Sequence, residues 1–142
     1  GHTCAITAQD TAVCWGWNGA GQLGNNSTAD SGIPVAVRNL TGVKKLAAYS
    51  SHMCAINNLN QQFCWGDNST GKLGINSRTD SLVPAQVMNL ANVIEMAMGD
   101  HFSCGRTAAN GVFCWGLNDA GALGNNSALS LEALTPVRVL GL

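Results

Sequence analysis

Six cysteines are the residues of this chain with the clearest capacity for covalent chemistry. They form three pairs, each ten residues apart, namely Cys4 and Cys14, Cys54 and Cys64, and Cys104 and Cys114. On the two arms of a β-hairpin each pair would be within disulfide reach, since facing Cα atoms lie about 4.5 to 5.5 Å apart. Buried free thiols are the alternative, and zinc is disfavoured because the spacing matches no common ligand pattern. Three disulfides would indicate an oxidising compartment, so a secreted or cell-surface protein.

The other reactive side chains do not form a catalytic set. His2, His52 and His101 stand at or beside one repeated position, which favours a packing or hydrogen-bonding role. Asp30 and Asp80 follow an Asn-Ser loop, where an aspartate typically fixes a turn. The sequence contains no nucleophile elbow and no glycine-rich stretch that leads from a strand into a helix. We therefore expect no enzyme activity, no catalytic residues, no metal and no cofactor.

One fourteen-residue segment occurs three times in the sequence with small changes. It reads "CWGWNGAGQLGNNS" from residue 14, "CWGDNSTGKLGINS" from residue 64 and "CWGLNDAGALGNNS" from residue 114, with two extra residues entering the third copy near Leu129. Such a period is typical of solenoids and propeller blades, in which each unit buries its apolar faces against its neighbours. We interpret the chain as a single repeat domain, 1–142, with units of about 1–40, 41–90 and 91–142.

Each complete unit predicts four short antiparallel strands. In "NVIEMAMGD" apolar residues alternate with Glu95 and Ala97, which is the period of a strand. "HMCAI" and "QFCWG" predict a hairpin, and in the third copy Asn110-Gly111 supplies the left-handed backbone of a tight turn. "LVPAQVMNL" predicts the fourth strand. "GVKKLAAYS" and "NVIEMAMGD" also contain good helix formers, so a short helix is the alternative for the first element.

These elements define an all-β fold class. We expect three four-stranded antiparallel propeller-type blades, the first of which lacks its first strand, so that the chain has eleven strands. Three blades cannot close an ordinary ring, for which four is about the minimum. The chain is therefore expected to be part of a larger β-propeller, or to assemble with other copies through exposed strand edges.

Composition excludes two classes of partner. Seven basic and eight acidic residues give a formal net charge of −1, and no basic run is longer than Lys44-Lys45. A nucleic-acid partner requires clustered positive charge, so we expect none. The apolar runs are far shorter than the ~20 residues of a spanning helix, so we expect no membrane span.

The repeated motif resembles that of a known family. Cys-Trp-Gly-x-Asn-x-x-Gly-x-Leu-Gly, followed by Asn-Ser and a Pro-Val strand, resembles the regulator of chromosome condensation repeat over essentially the whole chain. The resemblance implies a β-propeller, usually of seven blades, and the cysteines look like those of its bacterial or extracellular branch. Phe102 replaces the histidine found at His2 and His52, and the third connecting loop also departs from the pattern.

Residues that change between the copies are the binding candidates. Repeated residues build the scaffold, so we expect the varied ones to lie at the surface. The candidates are Trp17, Asp67 and Leu117 at one position, Gln22 and Lys72 at another, and Asp119 at a third. An exposed tryptophan is a common anchor of protein interfaces, although Trp17 could instead cover its own blade.

These features favour a non-enzymatic β-propeller repeat module that binds a protein or glycan or serves a structural assembly. The alternatives are a self-assembling extracellular fibre subunit, a secreted enzyme inhibitor similar to the β-lactamase inhibitor that shares the family's fold, and a guanine-nucleotide exchange factor. The paired cysteines and the lack of a basic tail disfavour the exchange factor. Glycosylation sequons begin at Asn25, Asn26, Asn39, Asn68 and Asn125, although such sequences arise easily in an Asn- and Ser-rich loop.

Overall fold

The computed structural model describes residues 1–127 and 131–142, which form three antiparallel sheets. The first sheet contains β1 (His2–Ile6), β2 (Ala12–Gly16) and β3 (Ser31–Ala36). The second contains β4 (Val43–Tyr49), β5 (His52–Asn57), β6 (Gln62–Gly66) and β7 (Ser81–Gln86). The third contains β8 (Val93–Met98), β9 (Phe102–Thr107), β10 (Val112–Leu117) and β11 (Glu132–Arg138). The prediction of three blades and eleven strands, with the first blade one strand short, is confirmed.

The first element of each complete blade is a strand. The helix alternative for "GVKKLAAYS" and "NVIEMAMGD" is wrong, because β4 pairs with β5 and β8 pairs with β9 along their lengths. Helix propensity is a weak preference, and pairing with a neighbouring strand overrides it here. Within the described ranges the only helical element is one 3₁₀ turn, Asp119–Gly121. No helix there is long and apolar enough to cross a bilayer.

The hairpins have the predicted register. Cys4 faces Cys14, and the residue pairs on either side follow without a slip. The left-handed residue of each turn is Asp10, Asn60 or Asn110, with φ of 56°, 57° and 61°. In the third turn Asn110 therefore supplies the left-handed conformation, whereas Gly111, which was expected to share it, does not.

All six cysteines are paired as disulfides. The bonds join Cys4 to Cys14, Cys54 to Cys64 and Cys104 to Cys114, with a Cα–Cα distance of 4.1 Å in each. The pairing predicted from the hairpin is confirmed, and no cysteine is free. Each bond closes a short loop and stabilises its blade by about 2 to 3 kcal/mol in the loop-closure model.

The pairing register of the fourth strand in the third blade is displaced by two residues. Gly16 faces Ser31 and Gly66 faces Ser81, but Gly116 faces Ala133, so the offset between copies grows from 50 to 52. This agrees with the predicted insertion, although the predicted place near Leu129 lies outside the described residues.

A buried tryptophan joins each blade to the preceding one. The indole N–H of Trp65 donates to the carbonyl oxygen of Gln22, and that of Trp115 donates to the carbonyl oxygen of Lys72, both at 2.9 Å. Both tryptophan side chains are completely buried. Trp15 is only half-buried, because no described blade precedes it. The repeated Cys-Trp-Gly motif therefore builds the contact between blades.

Candidate binding face

One end of the blades carries the long loops and is the candidate binding face. We call it the loop face, and it consists of the segments 17–30, 67–80 and 118–127 together with the turns 50–51 and 99–101. The opposite end carries only the hairpin turns and the short connections between blades. The backbone frame of the loop face is repeated, but several of its side chains differ between copies, so a ligand could distinguish the loops there.

A repeated asparagine holds each long loop in shape. The Asn18 amide nitrogen donates to the carbonyl oxygens of Ser27 and Ala29, at 2.8 and 3.0 Å, while its oxygen accepts the backbone N–H of Leu23. Asn68 makes the equivalent bonds in the second blade. Both side chains are fully buried, as expected for a residue that organises a polar loop from within.

The hydrogen bonds of the loop asparagines decide which glycosylation sequons are accessible to a glycan. The amide nitrogen of Asn68 is the atom that would carry a glycan, and it is buried with two bonded acceptors. A glycan at Asn68 is incompatible with this folded loop. Asn26 and Asn39 are exposed, and Asn25 and Asn125 are half-buried, so modification at these positions stays a prediction.

Two aspartates secure the base of the loops, as their position in the sequence predicts. One carboxylate oxygen of Asp30 accepts the backbone N–H of Asn18, and Asp80 accepts that of Asn68, both at 2.8 Å. These contacts tie the end of each loop to its beginning, so the side chains that vary between copies stand on a fixed backbone.

Three of the varied residues lie on the loop face, namely Trp17, Asp67 and Asp119, and Leu117 ends β10 directly beside it. Trp17 has 47% of its surface exposed, and its ring lies so close to Gly19 that a Cβ there would be 2.6 Å from it. Trp17 thus covers its own loop and also presents an aromatic surface to solvent. Asp67 and Leu117 are half-buried, and Asp119 is exposed.

Gln22 and Lys72 are not at the surface, so that part of the prediction is wrong. Their exposed fractions are 0% and 1%. The next blade covers them, since their carbonyl oxygens accept the tryptophan indoles, and the Lys72 ammonium donates to the carbonyl oxygen of Asp100 at 3.0 Å. The residue at this position differs between the two copies because each packs against a different blade, and not because the side chain is exposed to solvent.

Sequence reasoning missed Tyr49. It ends β4 at the edge of the loop face and is 49% exposed, which gives this face a second exposed aromatic residue. The available signal was that Tyr49, the only tyrosine of the chain, stands where the third copy has Gly99.

A fixed ion pair connects the loop face to the interior. The Lys72 ammonium lies 2.5 Å from a carboxylate oxygen of Asp67, and Lys72 is nearly inaccessible to solvent. Burial raises the pKa of Asp67, but the hydrogen bonds from Lys72 and from the Ser69 backbone outweigh it and leave this pKa at about 2. Burial, assisted by the Lys72 charge, lowers the pKa of His52 to about 3. At neutral pH Asp67 is therefore ionised and His52 is neutral.

Acidification is expected to destabilise the fold in two stages. His52 binds a proton near pH 6.5 when unfolded but only near pH 3 when folded, so stability falls by up to about 1.4 kcal/mol per pH unit across that window. Asp67 adds a loss as the pH falls from 3.8 to about 2. Urea unfolding followed between pH 8 and pH 2 measures both. His52→Phe, which copies Phe102 of the third blade, should remove the first stage, and an unchanged pH profile in that variant would refute the assignment.

The architecture defines a class of protein. Consecutive antiparallel meanders that pack face to face through a repeated tryptophan are the blades of a β-propeller. Two models of the regulator of chromosome condensation (RCC1) repeat match the chain, one over 13–56 and 61–105 and the other over 1–22, 43–72 and 93–122. The chain belongs to the RCC1 repeat family.

Solved structures share this fold. Human WBSCR16 superimposes with a TM-score of 0.84 at 21% identity, covering 98% of this chain and 35% of its own. Yeast RCC1 (Prp20), solved bound to Kap60, gives 0.86 at 19% identity, covering 99% and 35%. Prp20p from Saccharomyces cerevisiae, described with its binding properties to Gsp1p and histones, gives 0.84 at 19% identity, covering 99% and 36%. The chain thus spans about a third of their lengths. No curated protein sequence matches it significantly.

Proposed function

We propose that this chain is a non-enzymatic propeller module that binds a protein through its loop face. The observation that carries the proposal is that the repeated residues have structural roles whereas some of the varied residues are exposed. Trp65 and Trp115 hold the blades together and Asn18 and Asn68 hold the loops in shape, while Trp17 and Asp119 stand exposed on this frame. Similar propellers are solved bound to Kap60, or described as binding Gsp1p and histones, which supports a protein as the ligand.

The loop face suits this role because it is both aromatic and rigid. Trp17 and Tyr49 each expose almost half of their surface, and tryptophan and tyrosine are enriched among the residues that dominate binding energy. The asparagine and aspartate hydrogen bonds described above fix the loop backbone before any ligand arrives. A pre-ordered surface loses less conformational entropy on binding than a mobile one.

The proposal predicts that Trp17→Ala abolishes binding without disturbing the fold. Wild-type and variant protein are immobilised and exposed to the extracellular proteins of the source organism, and retained proteins are quantified by mass spectrometry. A specific ligand should be retained at least about tenfold less by Trp17→Ala, as expected for loss of more than 1.4 kcal/mol. Leu59→Ala is the matched control, because Leu59 is 69% exposed in a hairpin turn at the opposite end. Equal loss in both variants, or in neither, would contradict the proposal.

We further propose an extracellular or cell-surface location, which the three disulfides support. Protein isolated from its source without reductant should resist alkylation at all six cysteines. Six alkylated cysteines would refute the location.

The other sequence-based functions stay predictions. For self-association through blade edges, the relevant feature is that β1 pairs only with β2 within the described residues. A groove of about 520 Å³ runs beside this free edge, between Ala5 and Lys45. In the part of the chain that the structure describes, no comparable feature supports glycan binding, enzyme inhibition or nucleotide exchange, and we propose none of them.

A further inference from the structure

The two interfaces between blades use the same positions but different chemistry. In both, a tryptophan of the later blade donates to a carbonyl oxygen of the earlier one at 2.9 Å, so the backbones meet in the same way. The side chains around this common contact differ, and they differ in matched pairs.

The clearest pair is Gln62 and Gly105. Gln62 of the second blade is buried, and its side-chain oxygen points at Gly105 of the third, where a Cβ would lie only 2.6 Å away. Between the first and second blades the same two positions hold Ala12 and Ala55, both buried in one apolar cluster. A large residue therefore faces glycine at one interface, and two alanines face each other at the other.

A second pair follows the same rule. His2 of the first blade contacts the sulfur of Met53 at 3.0 Å, whereas His52 of the second contacts the hydroxyl of Ser103 at 3.0 Å. Ser103 also donates to the carbonyl oxygen of Lys72 at 2.9 Å. A serine hydroxyl has one hydrogen, so His52 must donate its own Nε2–H to Ser103. Methionine at position 103 could not make this chain of hydrogen bonds.

We infer that these matched side chains form a pairing code that sets which blade packs against which. Each blade packs against the next blade with one set of residues and against the preceding blade with a different set. Protein interiors are packed closely. Alanine in place of Gly105 would force the buried Gln62 side chain to move, and alanine in place of Gln62 would leave a void beside Gly105. The repeats are therefore not interchangeable, although their cysteine hairpins share the same register.

The code is tested by double-mutant cycles in the intact chain, with thermal unfolding as the readout. Gln62→Ala and Gly105→Ala should each lower Tm. The double variant, which copies Ala12 and Ala55, should have a Tm at least about 3 °C higher than the value expected if the two single shifts simply added. The reverse transplant uses Ala12→Gln, which should be rescued by Ala55→Gly.

Coupling at both interfaces is the predicted result. If Ala12→Gln prevents folding, restoration of a cooperative transition by Ala55→Gly counts as coupling. Shifts that simply add at either interface, or a failure of Ala55→Gly to rescue, would overturn the code. The outcome does not depend on the proposed ligand, so it can fail while the binding function stands.

Discussion

Trp65→Phe should lower the free energy of unfolding by about 2 kcal/mol. Phenylalanine fills most of the buried space, but it leaves the carbonyl oxygen of Gln22 without its donor, and a buried unpaired polar group costs about 1 to 3 kcal/mol. Trp65→Ala should cost about 3 to 5 kcal/mol, which is much of the stability of a typical domain. Urea unfolding at pH 7 measures both.

The chain contains its own control for this result. Trp15 has the same place in the repeat but is half-buried, and its indole has no hydrogen-bond partner within 1–127 or 131–142. Trp15→Phe should therefore change stability by no more than about 0.5 kcal/mol. Equal losses for Trp15→Phe and Trp65→Phe would show that the contact between blades is not what the tryptophan supplies.

Asp67→Asn should destabilise the protein by about 3 kcal/mol at pH 7. The substitution leaves the Lys72 ammonium almost wholly buried without a counter-charge, and breaking a buried pair in this way typically costs 3 to 5 kcal/mol. The lower end applies because the Asp67 side chain keeps 23% of its surface in solvent. The midpoint of urea unfolding gives the loss.

Two further variants separate the buried charge from other causes. Lys72→Gln added to Asp67→Asn should recover most of the loss, because glutamine occupies the same buried position at Gln22. Asp10→Asn breaks the exposed pair with Lys44, both half-exposed, and should change stability by less than about 1 kcal/mol. A double variant as unstable as Asp67→Asn alone would contradict the role of the unpaired charge.

The fold was predictable because the same local pattern recurs three times. A hairpin register that pairs Cys4 with Cys14 explains two cysteines ten residues apart, and the other copies repeat the pattern. Such local, period-two signals need no knowledge of the neighbouring blade. The helix alternative for the first strand failed because pairing with the strand that directly follows, β4 with β5 and β8 with β9, overrides the weak helix preference of its residues.

The candidate site was only partly predictable. Exposure of Trp17 followed from its variation between copies, but the same reasoning placed Gln22 and Lys72 at the surface, where they are not. Variation shows that surroundings differ, and for these residues the surroundings are the next blade. A signal for Lys72 was present: its copy alone combines lysine with an aspartate, Asp67, five residues earlier.

The most direct test of the central claim is the unfolding free energy of Trp17→Ala. The claim is that repeated residues hold the scaffold while exposed varied residues are free for a ligand. Because the Trp17 ring also covers its own loop, Trp17→Ala should cost no more than about 1 kcal/mol in urea, against the loss of about 3 to 5 kcal/mol expected for Trp65→Ala. A comparable loss at Trp17 would show that this residue is part of the scaffold, and it would contradict the account.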